Sequence, residues 1–322
     1  MEYAILGNAA FFAVAFAMKM GWSSWEMLGF GQDDDDDDDV AVKNPDPAPD
    51  PEDAKNTNYI ASDYASEQVG TSGNDTLGTS TSTDSVALFG LTGNDSLVGS
   101  SSDDYFEGDA GNDTINGFSG NDAAYGGSGD DLFYGLGGDD TLYGDAGDDM
   151  IEGNTGDDNL FGGLGADSIA GGGGTDVLNG GAGNDVLSSD RLDSSADFSR
   201  GSGETLTGAE GEDTIIFSNA DQVSGGADAD TFHYVYRDVT SDPVVITDFD
   251  KDIDTLTVHY MPQTDGQGNP IVPAMSFEID ASIGETLIKL DGVVVAKLQG
   301  DITISSSDVT LTEYDATFLD RL

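Results

Sequence analysis

The feature that most constrains this chain is a nine-residue unit repeated eleven times without a gap, from Gly90 to Ser188. Glycine stands at place one of every unit, and a second glycine stands at place four in all units but one. Place eight is apolar throughout, with Ala124 as its one small member. Place six is aspartate in all eleven units: Asp95, Asp104, Asp113, Asp122, Asp131, Asp140, Asp149, Asp158, Asp167, Asp176 and Asp185. A fixed short period predicts a structure in which each unit packs on its neighbours.

Each unit predicts a six-residue turn followed by a three-residue strand. Glycines at places one and four supply backbone torsions closed to other residues. Place five is Asn or Asp in nine of the eleven units, the residue types that best tolerate a left-handed backbone. Places seven to nine alternate outward, inward and outward, so the apolar eighth residue enters a core. The pattern therefore predicts a coiled, all-β structure.

If two units make one turn of the coil, the place-six aspartates stack at 18-residue spacing into two rows. Neighbouring carboxylates then lie roughly 4.8 Å apart, which is strongly unfavourable without a counter-ion. A divalent ion between successive turns would receive carboxylate and carbonyl oxygens, the six to eight hard ligands that calcium prefers, whereas magnesium demands a tight octahedron. The row therefore predicts several bound Ca²⁺ ions.

The predicted metal ligands include all eleven place-six aspartates of the array. Aspartates of the outlying units, and place-four glycine carbonyls of the most regular units, complete the set: Asp75, Asp213, Asp230, Gly129, Gly138, Gly147, Gly156, Gly165, Gly174 and Gly183. Some units depart from the pattern. Ser102 replaces a place-four glycine, Phe118 and Leu136 occupy place two, and Ala124 predicts a thin spot in the core. We expect the units from Gly126 to Ser188 to bind best.

The segments around the array have different compositions. The Asp/Pro-rich run predicts a disordered, solvated linker, for which weak calcium collection is the alternative. The apolar N-terminal segment predicts a short helix that either anchors in a membrane or packs elsewhere. Asp291-Gly292 between alternating runs predicts a hairpin. The predicted divisions are an apolar segment 1–31, a linker 32–57, a cap with degenerate repeats 58–89, the array 90–188, an insertion with the final repeats 189–242, and a C-terminal β cap 243–322.

The array resembles the glycine-rich nonapeptide repeats of RTX (hemolysin-type) proteins, across residues 70–233. This resemblance implies a parallel β-roll with calcium in its turns. It also implies export by a type I (ABC) secretion machinery that reads an uncleaved C-terminal signal, and hence an extracellular or cell-surface location. The run ITDFDKDIDTLTV with LDGVVVAKL is similar to the region that follows such repeats in serralysin-like proteins, and the terminal ATFLDRL is compatible with the signal.

Composition excludes several classes of function. A formal net charge of −53, from 63 acidic and only 10 basic residues, excludes nucleic acid as a partner. There is no cysteine, so disulfides and thiolate chemistry are absent. Such a chain should resist folding near neutral pH unless cations bind. Calcium binding with folding on encountering extracellular calcium is therefore the predicted function.

Nothing in the sequence points to an enzyme. No HExxH or GxSxG motif occurs, and the residues upstream of the repeats are too few for a protease or lipase domain. His233 and His259 lie in strand-like runs and are expected to be ordinary strand residues. A polysaccharide-acting enzyme within the C-terminal β cap is the less favoured alternative.

Three aromatic residues, Tyr125, Tyr143 and Phe161, recur at place nine with 18-residue spacing. The spacing predicts an outward aromatic column. Cross-strand packing is one explanation of it. The other is a platform for a glycan or protein, in which case the chain would be a cell-surface adhesion or matrix module with the roll as a rigid presenter.

Overall fold

The computed structural model describes residues 64–190, 203–236, 242–282, 284–300 and 302–314, all within the unit Ala48–Leu322. Every helix or strand assigned in these residues is a β-strand, which confirms the all-β prediction. The predicted N-terminal helix 1–31 and the linker 32–57 lie outside the described residues. Within the described ranges, no helix has the length and hydropathy needed to cross a membrane.

The strands, numbered β1 to β26 in chain order, alternate between two sheets as far as β20. The first sheet has the order β1 (Ser66–Val69), β3 (Val86–Thr92), β5 (Tyr105–Ala110), β7 (Ala123–Ser128), β9 (Thr141–Ala146), β11 (Asn159–Leu164), β13 (Val177–Ala182), β15 (Thr205–Glu210), β17 (Gln222–Ala227), β19 (Val244–Ile246), β25 (Val293–Gln299), β24 (Glu285–Leu290) and β23 (Met275–Asp280).

The second sheet has the order β2 (Thr76–Gly78), β4 (Ser96–Val98), β6 (Thr114–Asn116), β8 (Leu132–Gly137), β10 (Met150–Thr155), β12 (Ser168–Gly173), β14 (Val186–Ser188), β16 (Thr214–Phe217), β18 (Thr231–Tyr236), β20 (Thr255–Tyr260) and β26 (Val309–Glu313). A two-stranded ribbon, β21 (Gln263–Thr264) with β22 (Pro270–Ile271), lies apart from both sheets.

Each strand of the array pairs in parallel with the strand two units away. In the first sheet, for example, Leu142 is in register with Leu160, and Leu160 with Leu178. Two units therefore make one turn, which confirms the predicted parallel β-roll.

Most strands are longer than the three residues predicted. From β7 to β13 each strand runs for six residues, from place seven of one unit to place three of the next. The turn is then only places four to six. The expectation of a six-residue turn was wrong for these units because the residues that open each unit continue the ladder of the strand before them.

The left-handed torsions also fall at a different place than predicted. Place-four glycines do have positive φ, such as Gly138 at 126°. The second positive φ is at place two, where even Leu136 adopts 76°, and not at place one or place five. Phe118 and Leu136, at 74° and 76°, therefore share a positive φ with the glycines at place two of other units, whose values run from 103° to 115°.

The core is a single file of place-eight side chains between the sheets, each no more than 2% exposed. They are Leu97, Phe106, Ile115, Ala124, Phe133, Leu142, Ile151, Leu160, Ile169, Leu178 and Leu187. Ala124 is itself fully buried, and the large Phe106 is its direct neighbour in register.

The C-terminal strands continue both sheets. Parallel pairing carries the first sheet from β17 through β19 to β25, and the second from β18 through β20 to β26. The predicted hairpin is confirmed, since Asp291 and Gly292, both with positive φ, join β24 to the antiparallel β25. The cap is therefore continuous with the roll through both sheets.

Candidate metal sites

The place-six aspartates form two hydrogen-bonded rows. In the first row, the backbone N–H of each aspartate donates to Oδ1 of the aspartate one turn later, over 2.7–3.0 Å. Its members are Asp75, Asp95, Asp113, Asp131, Asp149, Asp167, Asp185, Asp213, Asp230 and Asp254. The second row joins Asp104, Asp122, Asp140, Asp158 and Asp176 by the same bond over 2.8–2.9 Å. The predicted sorting into two rows is thus observed.

The second oxygen of most of these carboxylates has no hydrogen-bond partner although it is buried. This holds for Oδ2 of Asp95, Asp113, Asp122, Asp131, Asp140, Asp149, Asp158, Asp167, Asp176, Asp185 and Asp213. Each of these side chains is at most 3% exposed. A buried carboxylate oxygen without a donor is costly, so each of these atoms requires a proton or a cation as its partner.

Place-one glycines leave the space that this oxygen faces. A Cβ placed on Gly90 would lie 2.5 Å from Asp95 Oδ2 and 2.9 Å from the carbonyl oxygen of Gly108. A Cβ on Gly117 would likewise meet Asp122 Oδ2 and would lie 3.0 Å from the carbonyl oxygen of Gly135. A carboxylate oxygen and a backbone carbonyl from the next turn therefore approach the same point, and place one requires glycine for room rather than for torsion.

The place-four glycines that were predicted as carbonyl ligands lie in the turns themselves. Gly129, for example, points its carbonyl at the Cα of Gly147 one turn later. The seven predicted glycines all share the positive φ, from 126° to 153°. Their carbonyls are directed along the roll, while the carbonyls next to Asp Oδ2 come from place one, which sequence reasoning did not single out.

The array itself contains no basic side chain to neutralise these rows, since neither Lys nor Arg occurs between Lys55 and Arg191. Burial raises the pKa of Asp131 and Asp140 to about 8, with a further contribution from neighbouring carboxylates of the row, against the lowering effect of one backbone N–H donor each. The pKa of Asp122 rises to about 7 for the same reasons. The rows are therefore built to hold protons or external cations.

Two of the predicted ligands differ from the rest. Asp75 Oδ2 accepts from the N–H of Thr71 at 2.6 Å, and Asp104 Oδ2 accepts from the N–H of Ser100 at 2.5 Å. Thr71 and Ser100 stand at place two but lack the positive φ found there in the other units. A left-handed residue at place two thus accompanies an unpartnered Oδ2. Among residues at place two, Thr71 and Ser100 therefore differ in this hydrogen bond, whereas Phe118 and Leu136 keep the left-handed torsion.

Place-five side chains form a second set of ladders, on the exposed side of each turn. Asp130 Oδ1, for example, accepts from the N–H of Asp148, and Asp139 Oδ1 from the N–H of Asp157. Here the later turn donates to the earlier one, opposite in direction to the place-six ladder. The Asn and Asp preference at place five thus serves hydrogen bonding rather than the left-handed backbone that we expected.

The rows extend beyond the predicted residues. Asp254 continues the first row by accepting from Asp230 N–H, and Asp221 Oδ1 accepts from Glu204 N–H at 3.2 Å in line with the second. A signal for each was present, because Asp254-Thr255-Leu256 repeats the Asp-x-apolar order of the unit. The irregular spacing concealed it.

The predicted aromatic column is confirmed on the outer face of the first sheet. Tyr125 and Tyr143 stack with ring centroids 4.9 Å apart and planes at 1°, and Tyr143 and Phe161 stack at 4.7 Å and 9°. Tyr105 continues the column, tilted by 48° on Tyr125. Because the rings cover one another's faces, they present edges to the solvent.

The two histidines lie side by side on neighbouring strands of the second sheet. His233 Nδ1 and His259 Nε2 are 3.1 Å apart, and burial lowers the pKa of each imidazole to about 4. They are strand residues, as predicted, and are neutral at physiological pH.

The donor set is that of a hard divalent cation. Carboxylate and carbonyl oxygens suit calcium, and the orphaned, buried Oδ2 atoms need a positive partner. In the described residues no three acidic or histidine side chains gather at one point, so the oxygens that meet there are a carboxylate and backbone carbonyls. The fold and its rows define a calcium-binding β-roll.

Comparison with known proteins agrees with this class. The family model described as "RTX calcium-binding nonapeptide repeat (4 copies)" matches residues 88–115, 116–151 and 152–187. Residues 88–187 are therefore RTX calcium-binding nonapeptide repeats. No curated protein sequence matches the chain.

Two solved structures are similar. The first is the R3 subunit (AlgE6R3) of the mannuronan C5-epimerase from Azotobacter vinelandii, at 21% identity and a TM-score of 0.29, covering 48% of this chain and 78% of that one. The second is the extracellular lipase LipA from Serratia marcescens, at 16% identity and a TM-score of 0.19, covering 71% of this chain. The chain spans 42% of the length of that lipase.

Proposed function

We propose that this chain is an exported calcium-binding protein whose β-roll folds when it meets extracellular calcium. One observation carries the proposal: a file of buried carboxylate oxygens without partners, in a stretch of chain that contains no basic residue. Each such oxygen opposes folding at neutral pH unless a cation reaches it. Calcium then contributes its binding free energy directly to folding.

The proposed ions lie along both rows, between successive turns. The place-six aspartates supply Oδ2, and the glycine carbonyls of places one and four supply further oxygens. We expect Asp75 and Asp104 to bind more weakly than the others, because Thr71 and Ser100 already donate to their Oδ2 atoms.

The proposed mechanism is linkage between binding and folding. In a cytosol with little calcium the acidic chain stays unfolded, in a form that a type I secretion machinery can export. Outside the cell, sites with dissociation constants of roughly 10⁻⁴–10⁻³ M would fill and fold the roll. Support comes from the charge of −53 and from the match to RTX repeats over residues 88–187.

The direct test is far-UV circular dichroism with and without calcium. We expect β signal only in calcium, and a much weaker response to magnesium. Asp140→Asn should raise the calcium concentration needed for folding, since Asp140 is fully buried with an unpartnered Oδ2. Asp139→Asn is the matched control, because its exposed side chain can keep the oxygen that accepts from Asp157. An EDTA-treated chain that retains its full β signal at neutral pH would refute the proposal.

Export and location need a separate experiment. The protein should appear in the culture supernatant of cells that carry a type I secretion machinery, and removing residues 301–322 should retain it inside. If residues 1–31 anchor the protein in a membrane, most of it will sediment with the cells, and a variant lacking those residues will be released.

A second candidate is a cell-surface adhesion or matrix module, in which the aromatic column would be the binding surface. The stacking of Tyr125, Tyr143 and Phe161 covers the ring faces that a sugar would need, so the column serves packing first. Glycan binding that disappears when these three residues are changed to Ala would favour the second candidate. In both cases we propose that the chain acts by binding and not by catalysis.

A further inference from the structure

The outer face of the second sheet carries apolar side chains that the calcium rows do not explain. Leu132, Tyr134 and Leu136 project from β8, half-buried, and Met150, in register with Leu132, is 45% exposed. Phe118, also half-buried, stands two residues past Asn116, which is the register partner of Tyr134, so it lies beside Leu136. We call these five side chains the apolar strip.

Two members of the apolar strip are held in a backbone conformation that disfavours them. Phe118 has φ of 74° and Leu136 has φ of 76°, in the left-handed region where aromatic and branched residues are rare. Neither side chain belongs to the buried core. Other units place there Asp, Asn, Ala or Leu at φ between 70° and 90°, or glycine at φ between 103° and 115°: Gly127, Gly163, Gly172, Gly181 and Gly226. The torsion does not call for an apolar side chain, since Asp109 and Asn154 adopt it at the same place in other units, and the core does not use Phe118 or Leu136.

The edges of the roll beside the apolar strip are lined by exposed carboxylates. Asp130 and Asp148 precede β8 and β10 on one edge, and Asp139 and Asp157 follow them on the other. These place-five side chains face solvent, unlike the place-six carboxylates in the rows. An apolar face between two acidic edges is complementary to an apolar face bordered by cations. A second copy of this chain would bring like charge to the same edges and be repelled.

We propose that the apolar strip is the docking site for a basic amphipathic helix of a partner protein. The helix lays its apolar side on Phe118, Tyr134 and Leu136, and its lysine or arginine side chains reach the carboxylates at both edges. A six-residue strand spans roughly 20 Å, about the length of a four-turn helix that is laid along it.

The test uses the calcium-loaded full chain and a synthetic 18-residue helix of leucine and lysine, with a scrambled peptide of the same composition as reference. We expect the amphipathic peptide to bind at least about tenfold more tightly than the scrambled one. Phe118→Gly with Leu136→Gly should remove that preference, while the calcium midpoint of folding stays unchanged or falls because the left-handed strain is relieved. Leu91→Gly is the control, since Leu91 has the same torsion, 79°, in the first sheet.

Three results would overturn the proposal. One is equal binding of the two peptides, which would show that charge alone attracts them. Another is unchanged peptide preference in the double glycine variant. The third is a dimer of the wild-type protein in sedimentation that the double variant loses, which would assign the apolar strip to self-association.

Discussion

Acid should fold the calcium-free protein, whereas it unfolds most proteins. Burial and neighbouring carboxylates raise the pKa of Asp131 and Asp140 to about 8 and that of Asp149 to about 6, from an ordinary 3.8. A raised carboxyl pKa means that the folded state holds a proton which the unfolded chain has released. The resulting penalty is full above the folded pKa and disappears as the pH falls from about 8 towards 3.8.

The magnitude follows from these values. When the pH falls from roughly 7.5 to 5, each carboxyl group with a folded-state pKa of about 6 increases the free energy of unfolding by about 1.4 kcal/mol. A group with a folded-state pKa of about 8 increases it by about 3 kcal/mol. A few such groups together match the free energy of unfolding of an ordinary domain, about 5–15 kcal/mol. Since both rows contain many of them, the pH alone should decide whether the calcium-free roll folds.

The assay is circular dichroism of EDTA-dialysed protein, titrated from pH 7.5 to pH 5. We expect β signal to appear during acidification. In calcium the dependence reverses, because protons compete with the ion for the same oxygens, and the calcium midpoint should rise. Asp140→Asn, which places a neutral side chain in the row, should move the acid midpoint to higher pH. A calcium-free β signal that stays flat or decreases on acidification would refute the reasoning.

Three substitutions and one control variant test other parts of the structure. Gly144→Ala should destabilise the roll and remove a calcium site, because a Cβ there meets the Asp149 carboxylate and the Gly162 carbonyl. Gly137→Ala is its control, since the atom nearest to the new Cβ would be 3.3 Å away. This control should lower the free energy of unfolding by less than about 0.5 kcal/mol, measured by thermal or denaturant unfolding. Phe133→Ala should lower the free energy of unfolding in calcium by about 3–5 kcal/mol, since this ring is fully buried. A loss of less than about 1 kcal/mol, as expected for an exposed side chain, would contradict the single-file core. Ser100→Gly removes the hydroxyl that donates to Asp104 Oδ1 and allows the left-handed torsion that accompanies an unpartnered Oδ2 in other units, so the number of ions counted by equilibrium dialysis should increase. An unchanged count would mean that the Ser100 hydrogen bonds do not compete with calcium.

The parts of this structure that depend on spacing were predictable, and the parts that depend on contact between turns were not. The period of nine put Leu142 and Leu160 in the core and sorted the aspartates into rows, because side-chain alternation and stacking follow from counting residues. The torsion at place two was missed because it is adopted even by residues that ordinarily avoid it, such as Leu136. Nothing in the sequence around that residue indicates a left-handed backbone.

For the candidate site too, the features that follow from spacing were predictable, and those that follow from contacts between turns were not. The identity of the carboxylates was readable, since aspartate recurs at one place in every unit. The carbonyls next to them were not, because place-one glycines such as Gly108 face a carboxylate from the adjacent turn. The role of place five was also hidden, since the partner of its side chain is a backbone N–H 18 residues away in sequence.

The hydrogen bond that links the aspartates of the first row forms across connecting segments of different length. Successive members are 18 residues apart within the array, yet Asp185 and Asp213 are 28 apart, Asp213 and Asp230 are 17 apart, and Asp230 and Asp254 are 24 apart, with the same bond each time. The bond therefore depends on the spacing of the turns in space and not on the number of residues between two aspartates. Connections of different length can therefore join successive turns without interrupting the file of carboxylates, as the 28-residue spacing of Asp185 and Asp213 shows. Whole turns can be gained or lost in pairs of units, so proteins of this architecture can vary in length while every remaining turn keeps both of its neighbours.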